Sequence, residues 1–139
     1  MKEYSLNLQG YYKQGMTGGI PSVPGIYVVY RGVHDMEHNL AILKELLFIG
    51  ETSNLEECIN DTAKLKNCSE SLQESEVLFF CFSSDIADEQ NRRDVTKMLV
   101  SVTLPTLNDL DTEVSEPEGA VINIEGNSHA FLPSKISIA

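Results

Sequence analysis

Four features of this sequence carry side chains capable of chemistry. His34-Asp35-Met36-Glu37-His38 puts two imidazoles and two carboxylates into one short run, donor types that hold a divalent metal. Cys58 falls near the start of a predicted helix, where free backbone N–H groups favour the thiolate, the nucleophilic form. Glu51, Glu56, Glu57 and Asp61 give the stretch from Glu51 to Thr62 a charge of −4, with no Lys or Arg. Tyr27 and Phe48 sit on two apolar runs, 21 positions apart.

Each feature also has a plainer reading. Nothing in a polar hairpin loop fixes the His34–His38 donors, so the run reads as a solvated cluster. Carboxylates around Cys58 oppose its ionisation, and its neighbours Leu55 and Ile59 suggest a small buried hydrophobe. Glu51, Glu56 and Glu57 read as a solvated acidic face, which would repel DNA or meet a basic partner. Tyr27 reads as a strand aromatic.

The elements that must position these residues follow from periodicity and punctuation. Tyr4, Leu6 and Leu8 alternate as in a short strand, ahead of Gly- and Pro-rich turns around Gly18, Gly19, Pro21 and Pro24. Gly25 to Arg31 predicts a strand with Ile26, Val28 and Tyr30 on one face and Tyr27 and Val29 on the other. A polar loop from Gly32 to Asn39 leads to a second strand, Leu40 to Ile49. Ser53-x-x-Glu56 has capping-box form, opening a helix with Leu55, Cys58, Ile59, Thr62 and Leu65 on one face. Val77 to Phe82 is apolar on both faces, which suits a central strand. Asp85 is the expected cap of a second helix to about Thr103, with Val95, Met98, Leu99 and Val102 facing the core. Pro105 stops it. Asn108 to Gly119 is an acidic loop, and Ala120 to Ile124 predicts a last short strand.

The chain has 139 residues, enough for one domain with its own core. Ten Lys and Arg against 21 Asp and Glu give a net charge of −11. Proteins that neutralise phosphates carry basic faces, so this balance argues against nucleic-acid binding. Cys58, Cys68 and Cys81 are an odd set without C-x-x-C spacing, which argues against a disulfide framework and a zinc site. No apolar run approaches the length of a membrane span, and the N-terminal residues lack a signal-peptide core. The expectation is a reduced, cytoplasmic, soluble protein.

Pro24-Gly25-Ile26-Tyr27, followed by Phe48-Ile49-Gly50-Glu51-Thr52-Ser53-Asn54-Leu55 and later by Leu99-Val100 and Pro105-Thr106-Leu107-Asn108, resembles the GIY-YIG nuclease superfamily. That family cleaves DNA and has the pattern P-G-I-Y, Y-I-G-x-T-x-N-L-x-x-R, then E-x-x-L-I before P-x-x-N. The resemblance spans about residues 20–108. It implies a reacting tyrosine at Tyr27, a supporting tyrosine at Phe48, a phosphate-gripping arginine at Cys58 and a metal-holding glutamate at Thr96. Gly50 and Asn54 are the motif's glycine and asparagine, and count as binding positions. Of the four catalytic positions only Tyr27 matches. Phe48 lacks the hydroxyl, Cys58 lacks a fixed charge, and Thr96 lacks a carboxylate. Asp94 lies about 200° from Thr96 around the helix, and Glu89 fits only a badly shifted register.

The resemblance implies an α/β (α+β) fold: a small, mainly antiparallel three-stranded central sheet that includes Phe79, flanked by helices at 54–66 and 86–104, with extra terminal strands. It implies a single domain over 1–139, with its core at about 20–108 and a C-terminal extension at 109–139. The expected function is a catalytically degenerate domain that binds or regulates a protein partner, a basic one by charge, without a cofactor, a resident metal or nucleic acid. One alternative is a metal-dependent DNA endonuclease with a rearranged site, using Mg or Mn. A weaker one is an acidic DNA-mimic inhibitor.

Overall fold

A computed structural model describes residues 2–108, 120–126, 130–133 and 135–138. The expected acidic loop after Asn108 therefore lies outside the described residues. Six strands form one sheet: β1 (Lys2–Lys13), β2 (Gly25–Asp35), β3 (Leu40–Thr52), β4 (Val77–Ser83), β5 (Ala120–Gly126) and β6 (Lys135–Ile138). Three helices accompany them: α1 (Leu55–Ile59), α2 (Lys66–Glu70) and α3 (Glu89–Thr103). The strand order is β3-β2-β4-β1-β5-β6.

This overturns the expected three-stranded antiparallel sheet flanked by helices: the sheet is six-stranded and mixed, and it curls into a half-barrel with few, short helices. The reason is β1, which is a full strand. Gln9–Lys13 pair antiparallel with Phe82–Phe79 of β4, while Lys2–Leu8 pair parallel with Ala120–Gly126 of β5. The terminal strands are thus part of the one sheet. The register shifts around Gly10, where an added Cβ would lie 2.7 Å from the Phe80 carbonyl oxygen. Only glycine allows this close approach.

Strand alternation splits the core in two. Ile26, Val28 and Tyr30 of β2 share one face with Leu6, Leu8, Phe79 and Cys81, covered by Val95, Met98 and Leu99 of α3. Tyr27 and Val29 share the other face with Leu78, Phe80 and Phe82, covered by Leu55, Cys58, Ile59, Leu65 and Cys68. β4 lies between β2 and β1 and is buried on both faces, which explains its unbroken apolar run.

Several boundaries differ from expectation. The β2–β3 ladder runs from Gly25↔Thr52 to Asp35↔Leu40, so His34 and Asp35 belong to a strand and the loop is only 36–39. Of the helix expected at 54–66 only the single turn α1 forms, and α2 begins at its last residue. Asp61 breaks the expected helix: its carboxylate accepts the N–H groups of Ala63 and Lys64, a turn that competes with helix. Thr62 is exposed as a result. The cap of α1 is Asn54, which accepts the Glu57 N–H, in place of Ser53. The cap of α3 is Asp88, in place of Asp85. Val102 is 47% exposed, outside the core face assigned to it. Among the described residues no helix is long and apolar enough to cross a membrane.

Candidate functional site

The apolar alternation of β2 turns Tyr27 toward α1 and α2, where it is 1% exposed. It pairs with Gly50 of β3 and Phe82 of β4. Phe48, diagonal to it on the same face, stacks on its ring at a centroid distance of 5.9 Å. α1 starts where β3 ends and brings Cys58, 4% exposed, onto the same face. Three of the four family-equivalent positions, Tyr27, Phe48 and Cys58, are therefore gathered in one place. That place is an apolar cluster. An open polar cleft of about 220 Å³ between Thr52, Asn54, Glu57, Cys58, Asp61 and Lys64 adjoins it at Cys58. Beside Tyr27 the free space is a narrow cavity of about 80 Å³ between Tyr27, Phe48, Leu65, Cys68 and Leu107, with Lys64 at its wall. Ligand pockets are usually several times larger.

Burial sets the chemistry of this cluster. It pushes the Tyr27 phenol far above the ordinary range for tyrosine, with the neighbouring Cys58 thiol adding to the shift. A phenol held protonated cannot accept a proton from an attacking water. Burial also pushes the Cys68 thiol up to about 11. All three cysteines are free and buried.

Thr96, the fourth position, is not brought to Tyr27. It lies on α3, whose Val95, Met98 and Leu99 pack on the opposite face of the sheet. Its hydroxyl is buried without a hydrogen-bond partner among the described residues. Mg or Mn bind through carboxylates; Thr96 supplies none, and Glu51, whose charge is felt at Tyr27, is paired with Arg92 and Arg93, so the residues present do not fit a catalytic metal. Among the described residues, no group of three or more His, Cys, Asp or Glu is placed to hold an ion. The His34–His38 run is divided between separate partners: His38 bonds Asp35 at 2.9 Å, while His34 lies against Asn39 and Lys13.

Gly50 and Asn54 each serve the local structure. Asn54 caps α1. A Cβ on Gly50 would lie 2.6 Å from the Tyr27 hydroxyl and 2.8 Å from the Phe48 ring. Gly50 thus leaves the space that the tyrosine fills. Gly50→Ala is expected to destabilise the fold by about 1–3 kcal/mol through overpacking. Tyr27→Phe alone should cost under about 1 kcal/mol, since the hydroxyl meets only a weak thiol partner. Combined, the two changes should cost measurably less than their sum in urea denaturation, because the phenylalanine removes the nearest clashing atom.

Two residues escaped the sequence pattern. Glu51, expected on the solvated acidic face, is bound by α3: Arg92 Nε approaches Glu51 Oε2 at 3.2 Å and Arg93 Nε approaches Oε1 at 3.7 Å. Arg92 is 3% exposed and also donates to the carbonyls of Ile86 and Ala87. Their pairing needs the β3–α3 packing, which no local spacing reveals. Comparisons with protein-family models, curated proteins and solved structures find no match to this chain.

Proposed function

We propose that this domain works by binding a protein partner and does not cleave DNA. Its motif residues derive, on this reading, from a GIY-YIG nuclease whose reacting groups have been replaced. The observation that carries the reading is the burial of Tyr27: it is 1% exposed, stacked on Phe48 and packed among residues of α1 and α2, which leaves its ring little room to meet a phosphate. Charge supports it. With Glu51 neutralised by Arg92 and Arg93, the neighbouring Glu56, Glu57 and Asp61 are still exposed and acidic. A net charge of −11 disfavours the counterion release that drives DNA binding and favours a basic protein surface.

The test is retention of labelled duplex DNA at low salt, where attraction to phosphate is strongest. No retention above that of an acidic control protein is expected. Salt-sensitive retention in the micromolar range would contradict the reading.

A further inference from the structure

We propose that the open edge of β1 is the docking site for the basic partner, which adds there as an extended strand. The proposal rests on the binding function above and names its site. β1 pairs with β4 only over Gln9–Lys13. β4 ends at Ser83, so over Glu3–Asn7 the β4-facing edge of β1 has no strand beside it among the described residues. A groove of about 700 Å³ opens there, between Glu3, Ser5 and Asn7 of β1 and the segment from Asp85 to α3.

Hydrogen-bond direction shows that this is a usable edge. The Asn7 N–H donates to Asp85 Oδ2 at 2.6 Å, so it points into the groove and away from β5. Strands repeat every two residues, so the N–H and C=O of Ser5 and Glu3 point the same way. Tyr4, Leu6 and Leu8 meanwhile bury their side chains in the core. The backbone groups of Ser5 and Glu3 are what a strand-adding peptide requires.

Charge selects the occupant. Glu3, Asp85, Asp88 and Glu125 line the groove, and among the described residues no Lys or Arg does. Behind its far wall, the cation of Arg92 is already bound to Glu51. The wall itself is held in place: Arg92 bonds the Ile86 and Ala87 carbonyls, and Asp88 caps α3. A preorganised groove loses little freedom on binding. An extended peptide with Lys or Arg at alternate positions matches both the edge and the carboxylates.

The probe is a fluorescein-labelled peptide of alternating lysine and valine, followed by anisotropy, with an alternating glutamate–valine peptide as control. Saturable, salt-sensitive binding of the lysine peptide alone is expected. Glu3→Gln with Glu125→Gln should weaken it about fivefold, from two partly exposed charges. Ser5→Pro removes one groove-facing N–H and leaves the bonds to β5 in place, so it should weaken binding about tenfold. Independently of any variant, amide exchange at Ser5 in the unaltered protein should slow at least about tenfold on saturation. Failure of the lysine peptide to bind overturns the proposal. So does binding that leaves Ser5 exchange unchanged; the partner would then use another acidic surface, and the binding function would stand. Failure of that broader reading shows separately, as retention of duplex DNA.

Discussion

Arg92→Ala is expected to destabilise the fold by about 3–5 kcal/mol, the usual cost of breaking a buried ion pair from one side. Arg92 is 3% exposed and joins three parts of the chain: Glu51 at the end of β3, the carbonyls of Ile86 and Ala87, and its own helix α3. Alanine would leave those carbonyls without donors and Glu51 with Arg93 alone, at 3.7 Å. Arg92→Lys keeps the charge but not the planar fork that reaches several acceptors at once, so it should recover at most about half of the loss. Urea denaturation with an unchanged m-value is the measurement. A loss under about 1 kcal/mol for the alanine variant would show that the cluster carries little of the stability.

Alkaline solution should unfold the chain cooperatively. Tyr27 and Tyr30 are 1% and 0% exposed. Both phenols are held well above their ordinary range, by burial first and then by the thiols of Cys58 and Cys81 respectively. Unfolded tyrosines ionise near pH 10, so the native state keeps two protons that the unfolded state releases. Their contribution to stability is therefore complete below about pH 10 and is lost as the pH rises above it. The combined slope of the two tyrosines approaches about 2.7 kcal/mol per pH unit, and the Cys68 and Cys81 thiols, also pushed up by burial, steepen it further. Urea midpoints between about pH 9 and 11 measure the slope, and phenolate absorbance from these two residues should appear only with unfolding. Ionisation of all the tyrosines in a still-folded chain would contradict the burial argument.

What could be read in the sequence was local. The alternation of Ile26, Val28 and Tyr30 against Tyr27 and Val29 sorts them onto opposite faces, and the β2–β3 register then brings Tyr27 near Phe48. The doubly apolar β4 announces its interior place. What stayed hidden depended on distant partners. The parallel pairing of Lys2–Leu8 with Ala120–Gly126 turns a small antiparallel sheet into a mixed six-stranded one, and no local pattern marks it. Asp61 ended a helix that hydrophobic spacing carried onward, because its side chain satisfies backbone N–H groups in a turn. Nothing in the sequence around Arg92 marks it as buried; Glu51 and the 86–87 carbonyls that surround it come from elsewhere in the fold. At the candidate site, the missing groups at Phe48, Cys58 and Thr96 were legible, whereas the burial of Tyr27 required the packing of α1 and α2.

The central claim is that Tyr27 is a packed core residue with no part in hydrolysis. Incubation of supercoiled plasmid with the purified protein and Mg or Mn, alongside Tyr27→Phe, tests it most directly. The account predicts that the plasmid stays supercoiled with both proteins. Metal-dependent nicking by the unaltered protein that disappears in Tyr27→Phe would contradict it.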